Sequence, residues 1–115
     1  MDSRKHTFPH QKLDAWQVCR ETRKVTYRLL ADLPAGYGED ARQLRRSAGG
    51  TLRLIAEGGD RWARGDKRRR FEEANGEVGE TVSGLLALVE DGVLDPEVVD
   101  TVIGLWGRVG AMCTA

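Results

Sequence analysis

Apolar residues recur every three or four positions in four separate segments, the spacing that places side chains on one face of an α-helix. The first row consists of Leu13, Trp16, Cys19, Tyr27, Leu30 and Leu33. It predicts a helix over about 12–32. Pro34 disfavours helix in the residue before it, and Gly36 and Gly38 supply turn conformations, so a turn is expected to follow.

The second row predicts a helix over about 39–57. Its members are Ala41, Leu44, Ala48, Thr51, Leu52 and Ile55. Gly49 and Gly50 lie inside this helix, where each glycine costs about 1 kcal/mol relative to alanine, so we expect a close helix contact there. Gly58 and Gly59 follow and are expected to end the helix or to fray it.

The third and fourth rows predict helices over about 66–91 and 96–113. The third row is Phe71, Ala74, Val78, Val82, Leu85, Leu86 and Val89, and the fourth is Val99, Val102, Ile103, Trp106, Val109 and Cys113. An Asp-Pro-Glu sequence marks the start of the fourth helix. Gly104, Gly107 and Gly110 are spaced by three, which would leave a flat facet for close approach of another helix.

Four amphipathic helices with short connections can bury their apolar rows only against one another. No segment alternates with the period of two that a strand would show. The sequence therefore predicts an all-α fold, one antiparallel up-down-up-down four-helix bundle over residues 11–115. Residues 1–10, which include Pro9, are predicted to form a flexible N-terminal arm.

The composition is that of one soluble domain, with 115 residues of which 40% are hydrophobic and 31% charged. No stretch approaches the roughly 20 apolar residues of a membrane span, and the N-terminus lacks the apolar run of a secretory signal. We therefore expect a cytoplasmic protein with no membrane contact. Cys19 and Cys113 are interpreted as reduced and half-buried, with a terminal disulfide or a reactive thiol as the alternatives.

The formal net charge of zero conceals a strongly divided chain. Residues 1–70 carry 17 Lys and Arg against 9 Asp and Glu, whereas residues 71–115 carry 1 against 9. Such asymmetry suggests a basic surface for a polyanion, a head-to-tail contact between copies, or both. A chance distribution over a solvated bundle is the alternative.

Residues that would support catalysis or metal binding are scarce. His6 and His10 flank Pro9 before the first helix and are interpreted as solvated arm residues, not as a metal pair. No histidine lies in a predicted helix, so neither a bundle-core di-iron site nor a histidine general base is expected. No phosphate-binding loop or nucleophile motif is present. We expect no cofactor, no metal and no enzymatic activity.

Glu57 and Glu80 lie close to the apolar rows of their helices. A carboxylate in such a place is expected to form a structural ion pair across the bundle, for instance with Arg46 or Arg53. A catalytic acid is the alternative.

Basic residues provide the candidate binding surface. The candidate nucleic-acid-binding residues are Arg45, Arg46, Arg61, Trp62, Arg64, Lys67, Arg68, Arg69 and Arg70. Guanidinium groups neutralise phosphates, and an exposed indole stacks on an unpaired base. Basic residues at a helix N-terminus also oppose the helix dipole, and this local disadvantage favours a partner. The alternative is a solvated segment in which Trp62 covers the open end of the bundle.

Several short sequence stretches over about residues 8–112 form a pattern. Their combination identifies a protein family more specifically than any one stretch does. The stretches are Leu13-Asp14-Ala15-Trp16-Gln17, Leu33-Pro34, Tyr37-Gly38, Gln43-Leu44-Arg45-Arg46-Ser47-Ala48, Ile55-Ala56-Glu57-Gly58, Arg61, Lys67 to Phe71, and Ala74-Asn75-Gly76 with Glu80. In them the chain resembles the four-helix-bundle proteins encoded in intervening sequences of bacterial 23S rRNA genes. Leu52 and Leu54 stand where that family usually has proline and asparagine, which indicates a divergent member or a subfamily.

The resemblance implies an antiparallel four-helix bundle that assembles as a ring of five, in a family with no established enzymatic activity. The motif residues interpreted as structural are Trp16, Pro34, Gly38, Gln43, Ile55, Glu57, Gly58, Phe71 and Glu80. A related branch, the accessory variability determinants of diversity-generating retroelements, forms basic pentamers that bind nucleic acid and a reverse transcriptase. A reverse transcriptase is therefore an implied protein partner.

The leading interpretation is a non-enzymatic homo-oligomer, a pentamer by resemblance, that binds RNA or DNA through its basic surface. A ring brings two different faces of each subunit together, which agrees with the divided charge. The alternative is a protein–protein interaction scaffold whose charge asymmetry serves self-assembly or the docking of a protein partner.

Overall fold

The computed structural model describes residues 8–115, which form four α-helices preceded by one turn of 3-10 helix. The 3-10 turn spans Pro9–Lys12, and the α-helices are α1 (Asp14–Leu30), α2 (Gly38–Asp60), α3 (Arg64–Glu90) and α4 (Pro96–Thr114). No strand occurs among the described residues. Each α-helix packs against the next along the chain, and α4 also packs against α1. The predicted all-α four-helix bundle is confirmed.

Several helix bounds differ from those expected, most clearly around Gly58 and Gly59. These glycines do not end α2, which continues to Asp60. A Cβ on Gly59 would lie 2.8 Å from Leu13 Cδ1 and 2.9 Å from His10 Cα. The glycine therefore lets the N-terminal segment cross the last turn of α2 at close range. The glycine is needed here for close packing, and the helix continues past it.

The N-terminal segment is attached to α2 from Phe8 onward. The His10 backbone N–H donates to Asp60 Oδ1 over 3.1 Å, and the ring Nδ1 lies 3.0 Å from Asp60 Oδ2. The ring also meets Trp16 edge to face at a centroid distance of 5.0 Å. His10 is therefore not the solvated arm residue that was expected. Residues 1–7, which include His6, lie outside the described residues.

The buried core contains five hydroxyl residues, of which the apolar rows included only Thr51. They are Thr22, Thr26, Ser47, Thr51 and Thr81, each at most 5% exposed. Four of the five donate to the carbonyl four residues earlier in their own helix, and Ser47 donates to the one three residues earlier. Such bonds satisfy the hydroxyl locally, so a polar residue can lie in the core.

Close contacts at glycines differ from those expected. Gly49 and Gly50 are covered by the side chains of Arg53, Tyr27 and Glu77. The close approach expected there is therefore made by long side chains, and a tighter one occurs where a Cβ on Gly84 would lie 2.5 Å from Leu44 Cδ2.

The glycine facet of α4 is only partly covered. A Cβ on Gly110 would lie 2.9 Å from Asn75 Oδ1, whereas Gly104 and Gly107 have no neighbour within 4 Å among the described residues. Two of the three glycines therefore leave the outer surface of α4 open.

Cys19 and Cys113 are free thiols and are buried at 0% and 8% exposure, more deeply than expected. Burial raises the pKa of Cys19 to about 12 and that of Cys113 to about 11. Both side chains therefore stay protonated at neutral pH, and a reactive thiol is not supported.

Candidate nucleic-acid interface

The connection between α2 and α3 consists of three residues, Arg61 to Ala63. In an antiparallel bundle it lies at the same end as the start of α1 and the end of α4. Residues 61–70, named the basic segment below, carry six Lys and Arg and a single acid, Asp66. We name this end of the molecule the basic end.

Two cations of the basic segment are engaged inside the protein. Lys67 Nζ donates to the carbonyl oxygens of Gly58 and Gly59 over 3.3 and 3.4 Å, which satisfies the last turn of α2 and complements its dipole. Arg70 lies 2.9 Å from Glu73 and 3.4 Å from Glu57, so it joins α3 to α2. Both side chains are half-buried and have structural roles.

The other four cations of the segment are exposed. They are Arg61, Arg64, Arg68 and Arg69. Within residues 8–115 none of them makes an ion pair shorter than 4.0 Å. These four side chains are therefore exposed to solvent and are not held by an ion pair within the described part of the chain.

Trp62 is 93% exposed, so the interpretation that it covers the open end of the bundle is wrong. The backbone on each side of it is nevertheless fixed. Arg61 N–H donates to Gly58 O over 3.3 Å, and Lys67 N–H donates to Ala63 O over 3.0 Å. The indole therefore projects from a short connection that is hydrogen-bonded on both sides.

Arg45 and Arg46 do not join the basic segment. They lie about 22 Å from the end of α2, given a rise of about 1.5 Å per residue. The Arg45 guanidinium lies 5.9 Å from the ring centre of Tyr27. The nine predicted binding residues thus separate into a terminal group and a lateral pair.

Arg46 lines a polar cleft of about 350 Å³ between α2 and α3. The cleft is lined by Arg42, Gln43, Arg46, Ser47, Glu77 and Glu80. Glu80 makes no ion pair within 4.0 Å among residues 8–115. Glu57 does form an ion pair between helices, but with Arg70 and not with Arg46 or Arg53.

Glu77 in the same cleft has a raised pKa, because burial and the neighbouring Glu80 disfavour its charged form more than Arg46 and Arg53 favour it. It was not singled out from the sequence, since nothing in the spacing of an acidic helix marks which carboxyl faces inward. Within residues 8–115 no group of three or more His, Cys, Asp or Glu side chains is arranged to hold a metal ion.

The motif residues mostly support packing between elements. Ile55 is fully buried. A Cβ on Gly58 would lie 3.2 Å from Phe71 Cζ, and Trp16 lies between His10 and the Arg20 guanidinium. Pro34 is in the turn between α1 and α2, Gly38 opens α2, and Gln43 donates to Glu39.

A family model described as 23S rRNA-intervening sequence protein matches residues 11–115. The chain belongs to this family. The match covers all four helices and confirms the resemblance seen in the motif stretches. Comparison with curated proteins finds no match. No helix within residues 8–115 combines the length and the apolar character that a membrane crossing requires.

This family member has opposite charges at its two ends. The connections over residues 31–37 and 91–95 lie opposite the basic end, and residues 90–100 carry five acids and no Lys or Arg. We name this the acidic end. The divided charge of the sequence is thus expressed partly as an end-to-end difference, and not only as a difference between the first and second pairs of helices.

Proposed function

We propose that this family member is a non-enzymatic, oligomeric bundle that binds nucleic acid through its basic end. One observation carries the proposal: in and directly after the connection between α2 and α3, four exposed arginines that make no ion pair within residues 8–115 accompany an indole that is 93% exposed. Guanidinium groups release counterions from phosphates, and an indole offers a face for a base.

The same observation favours a mode of binding that depends on phosphate contacts. Contacts to phosphate position a protein on nucleic acid without reading its sequence. Arg61, Arg64, Arg68 and Arg69 would supply about four phosphate contacts per chain, for which a slope of roughly −3 in log affinity against log salt is expected on a single strand. Arg45 and Arg46 are left out of this surface because they lie far along α2.

For the oligomer we propose the ring of five that the family resemblance implies. A ring requires contact between unlike faces of neighbouring copies, and the charge difference between the first and the second pair of helices would favour such a lateral contact. Five basic ends in one assembly would bind a polyanion together, with an affinity well above that of one copy. A reverse transcriptase partner and a cytoplasmic location stay predictions.

The test is a charge reversal at the basic end. The variant Arg61→Glu, Arg64→Glu, Arg68→Glu should abolish binding of a labelled oligonucleotide at low salt. Glutamates in the first turns of α3 suit its dipole, so the variant should fold at least as well as the wild type. The control is Arg20→Glu, Lys24→Glu, Arg28→Glu, which changes the charge equally on exposed positions of α1. Equal loss in both variants, or no loss in the first, contradicts the proposal.

A second candidate function, a protein-interaction scaffold, is favoured by Gly104 and Gly107 on α4, which no other part of residues 8–115 covers. Light scattering after size-exclusion chromatography, with absorbance at 260 and 280 nm, separates the two. A pentamer that carries nucleic acid at low salt and releases it at high salt supports the leading proposal. An oligomer free of nucleic acid at both salt concentrations supports the scaffold.

A further inference from the structure

Trp62 stands apart from every other large apolar side chain in residues 8–115. It is 93% exposed, whereas the next most exposed, Phe8, is at 56%. None of the ring–ring or cation–ring contacts among these residues involves its indole. A large aromatic side chain left entirely in water contributes nothing to this fold and is available for a ligand.

The fold holds this indole on a short, ordered connection. Hydrogen bonds to Gly58 O and Ala63 O fix the backbone before and after it, and Lys67 ties the start of α3 to the end of α2. Little chain entropy remains to be lost when a ligand contacts the side chain. Such pre-organisation favours binding without any additional contact.

Arg61 and Arg64 lie on either side of Trp62 in the sequence, and both are exposed. A ligand that satisfies all three groups offers a flat apolar face with an anion on each side of it. An unpaired nucleotide in a strand has this chemistry, since its base face is free and its two phosphates are about one nucleotide apart. In a duplex the base faces are covered by their neighbours, and only the phosphates remain.

The placement of the indole also argues against reading a duplex groove. Trp62 is at the tip of a three-residue connection, and α2 and α3 pack together on both sides of it. Recognition of a duplex by a helix requires a helix side that can enter the major groove. The exposed aromatic group here is instead on a turn.

We infer that the basic end selects unpaired nucleotides, in a single strand or a loop, by stacking a base on Trp62 while Arg61 and Arg64 hold the adjacent phosphates. This inference rests on the proposed function and names the ligand class of that same site. Binding of a polyanion without such selection would need only the arginines, whereas selection of unpaired nucleotides also needs the indole.

The experiment compares one labelled DNA strand of about 12 nucleotides, alone and annealed to its complement, by fluorescence anisotropy with the full chain. Stacking on an aromatic side chain contributes roughly 1–3 kcal/mol per base, so Trp62→Ala should weaken binding of the single strand by about 5- to 150-fold. The duplex should lose less than about 2-fold, since its phosphate contacts remain.

Two variants complete the design. Trp62→Phe retains an aromatic face and should recover most of the single-strand affinity. Leu86→Ala removes a 49% exposed side chain from another part of the molecule and should change nothing. An unchanged single-strand affinity in Trp62→Ala, or an equal loss on both forms, overturns the inference while salt-dependent binding keeps the proposed function. Absence of binding by the wild type to either form at low salt overturns both.

Discussion

The indole N–H of Trp106 in α4 donates a hydrogen bond of 2.9 Å to the hydroxyl of Thr26 in α1, and both side chains are 0% exposed. The Thr26 hydroxyl in turn donates to Thr22 O over 2.8 Å. The largest core side chain therefore has its polar atom satisfied by a residue on the opposite side of the α1–α4 contact. This bond specifies how the two helices align.

Thr26→Val should lower the free energy of unfolding by about 1–3 kcal/mol, because it leaves the buried Trp106 N–H without an acceptor. Thr22→Val is the matched control. Thr22 is equally buried, but its hydroxyl bonds only to Val18 O in its own helix. Urea denaturation of both variants checks this, and equal losses would show that the interhelical bond contributes nothing.

Gly59→Ala should destabilise the protein by about 1–3 kcal/mol, because the new methyl group would overlap Leu13 and the His10 backbone. Gly76→Ala should instead stabilise it by about 1 kcal/mol, since Gly76 is an exposed position inside α3 and a Cβ there would have no neighbour within 4 Å in the described part of the chain. Thermal unfolding of the two variants measures the difference. Two shifts of the same sign would contradict the close packing at Gly59.

Arg70 and Arg69 are neighbours in sequence with separate roles. Arg70→Ala should cost about 1 kcal/mol of stability, a figure reduced because Glu57 and Glu73 are partly solvated. Arg69→Ala should change stability by less than about 0.5 kcal/mol and weaken nucleic-acid binding. Denaturation measures the stability of both variants, and fluorescence anisotropy measures their binding of nucleic acid. A stability loss at Arg69 with none at Arg70 would reverse the assignment.

Glu77→Gln should stabilise the protein at neutral pH and have no effect in acid. Burial, followed by Glu80, raises the pKa of Glu77 above its ordinary value of 4.5. A raised folded-state pKa means that stability is highest below the unfolded pKa and is lost as pH rises through the folded pKa. Glutamine avoids that loss. The free energy of unfolding of Glu77→Gln is measured at pH 7 and at pH 4. The control is Glu72→Gln, a substitution at an exposed position of α3. If Glu77→Gln were still more stable than the wild type at pH 4, the raised pKa of Glu77 could not be the cause.

The thiols of Cys19 and Cys113 should react slowly with a disulfide reagent in the native protein and rapidly after addition of denaturant. Their pKa values of about 12 and about 11 leave little thiolate at pH 8. Absorbance of the released thiolate gives the rate. Fast, complete reaction without denaturant would show that the bundle opens readily near the ends of α1 or α4.

The four helices could be predicted because apolar spacing reports helical faces directly. The threonines of the α1 core could not, since their hydroxyls are satisfied by carbonyls of the same helix and polarity alone suggests exposure. Gly58 and Gly59 carried a stop signal that packing overrode. Whether a helix continues through such glycines depends on which segment packs across it. Here that segment contains His10, and the sequence alone does not show this contact.

The sequence identifies which basic residues belong to the candidate site. It does not show which of them have structural roles and which are exposed. Composition marks residues 61–70 as basic, yet Lys67 reaches the carbonyls of Gly58 and Gly59 only because the connection turns back over the end of α2. The exposure of Trp62 likewise depends on how the bundle end closes. The separation of Arg45 from this group follows from helix rise alone and could have been deduced.

Opposite charges at the two ends give a molecule with a formal net charge of zero a permanent electric dipole along its length. Near a polyanion such a molecule experiences a torque before any contact, and it arrives with its arginine-bearing end leading. Once bound, it presents the acids of residues 90–100 outward. A strand coated in this way would display a negative outer layer that repels other anions.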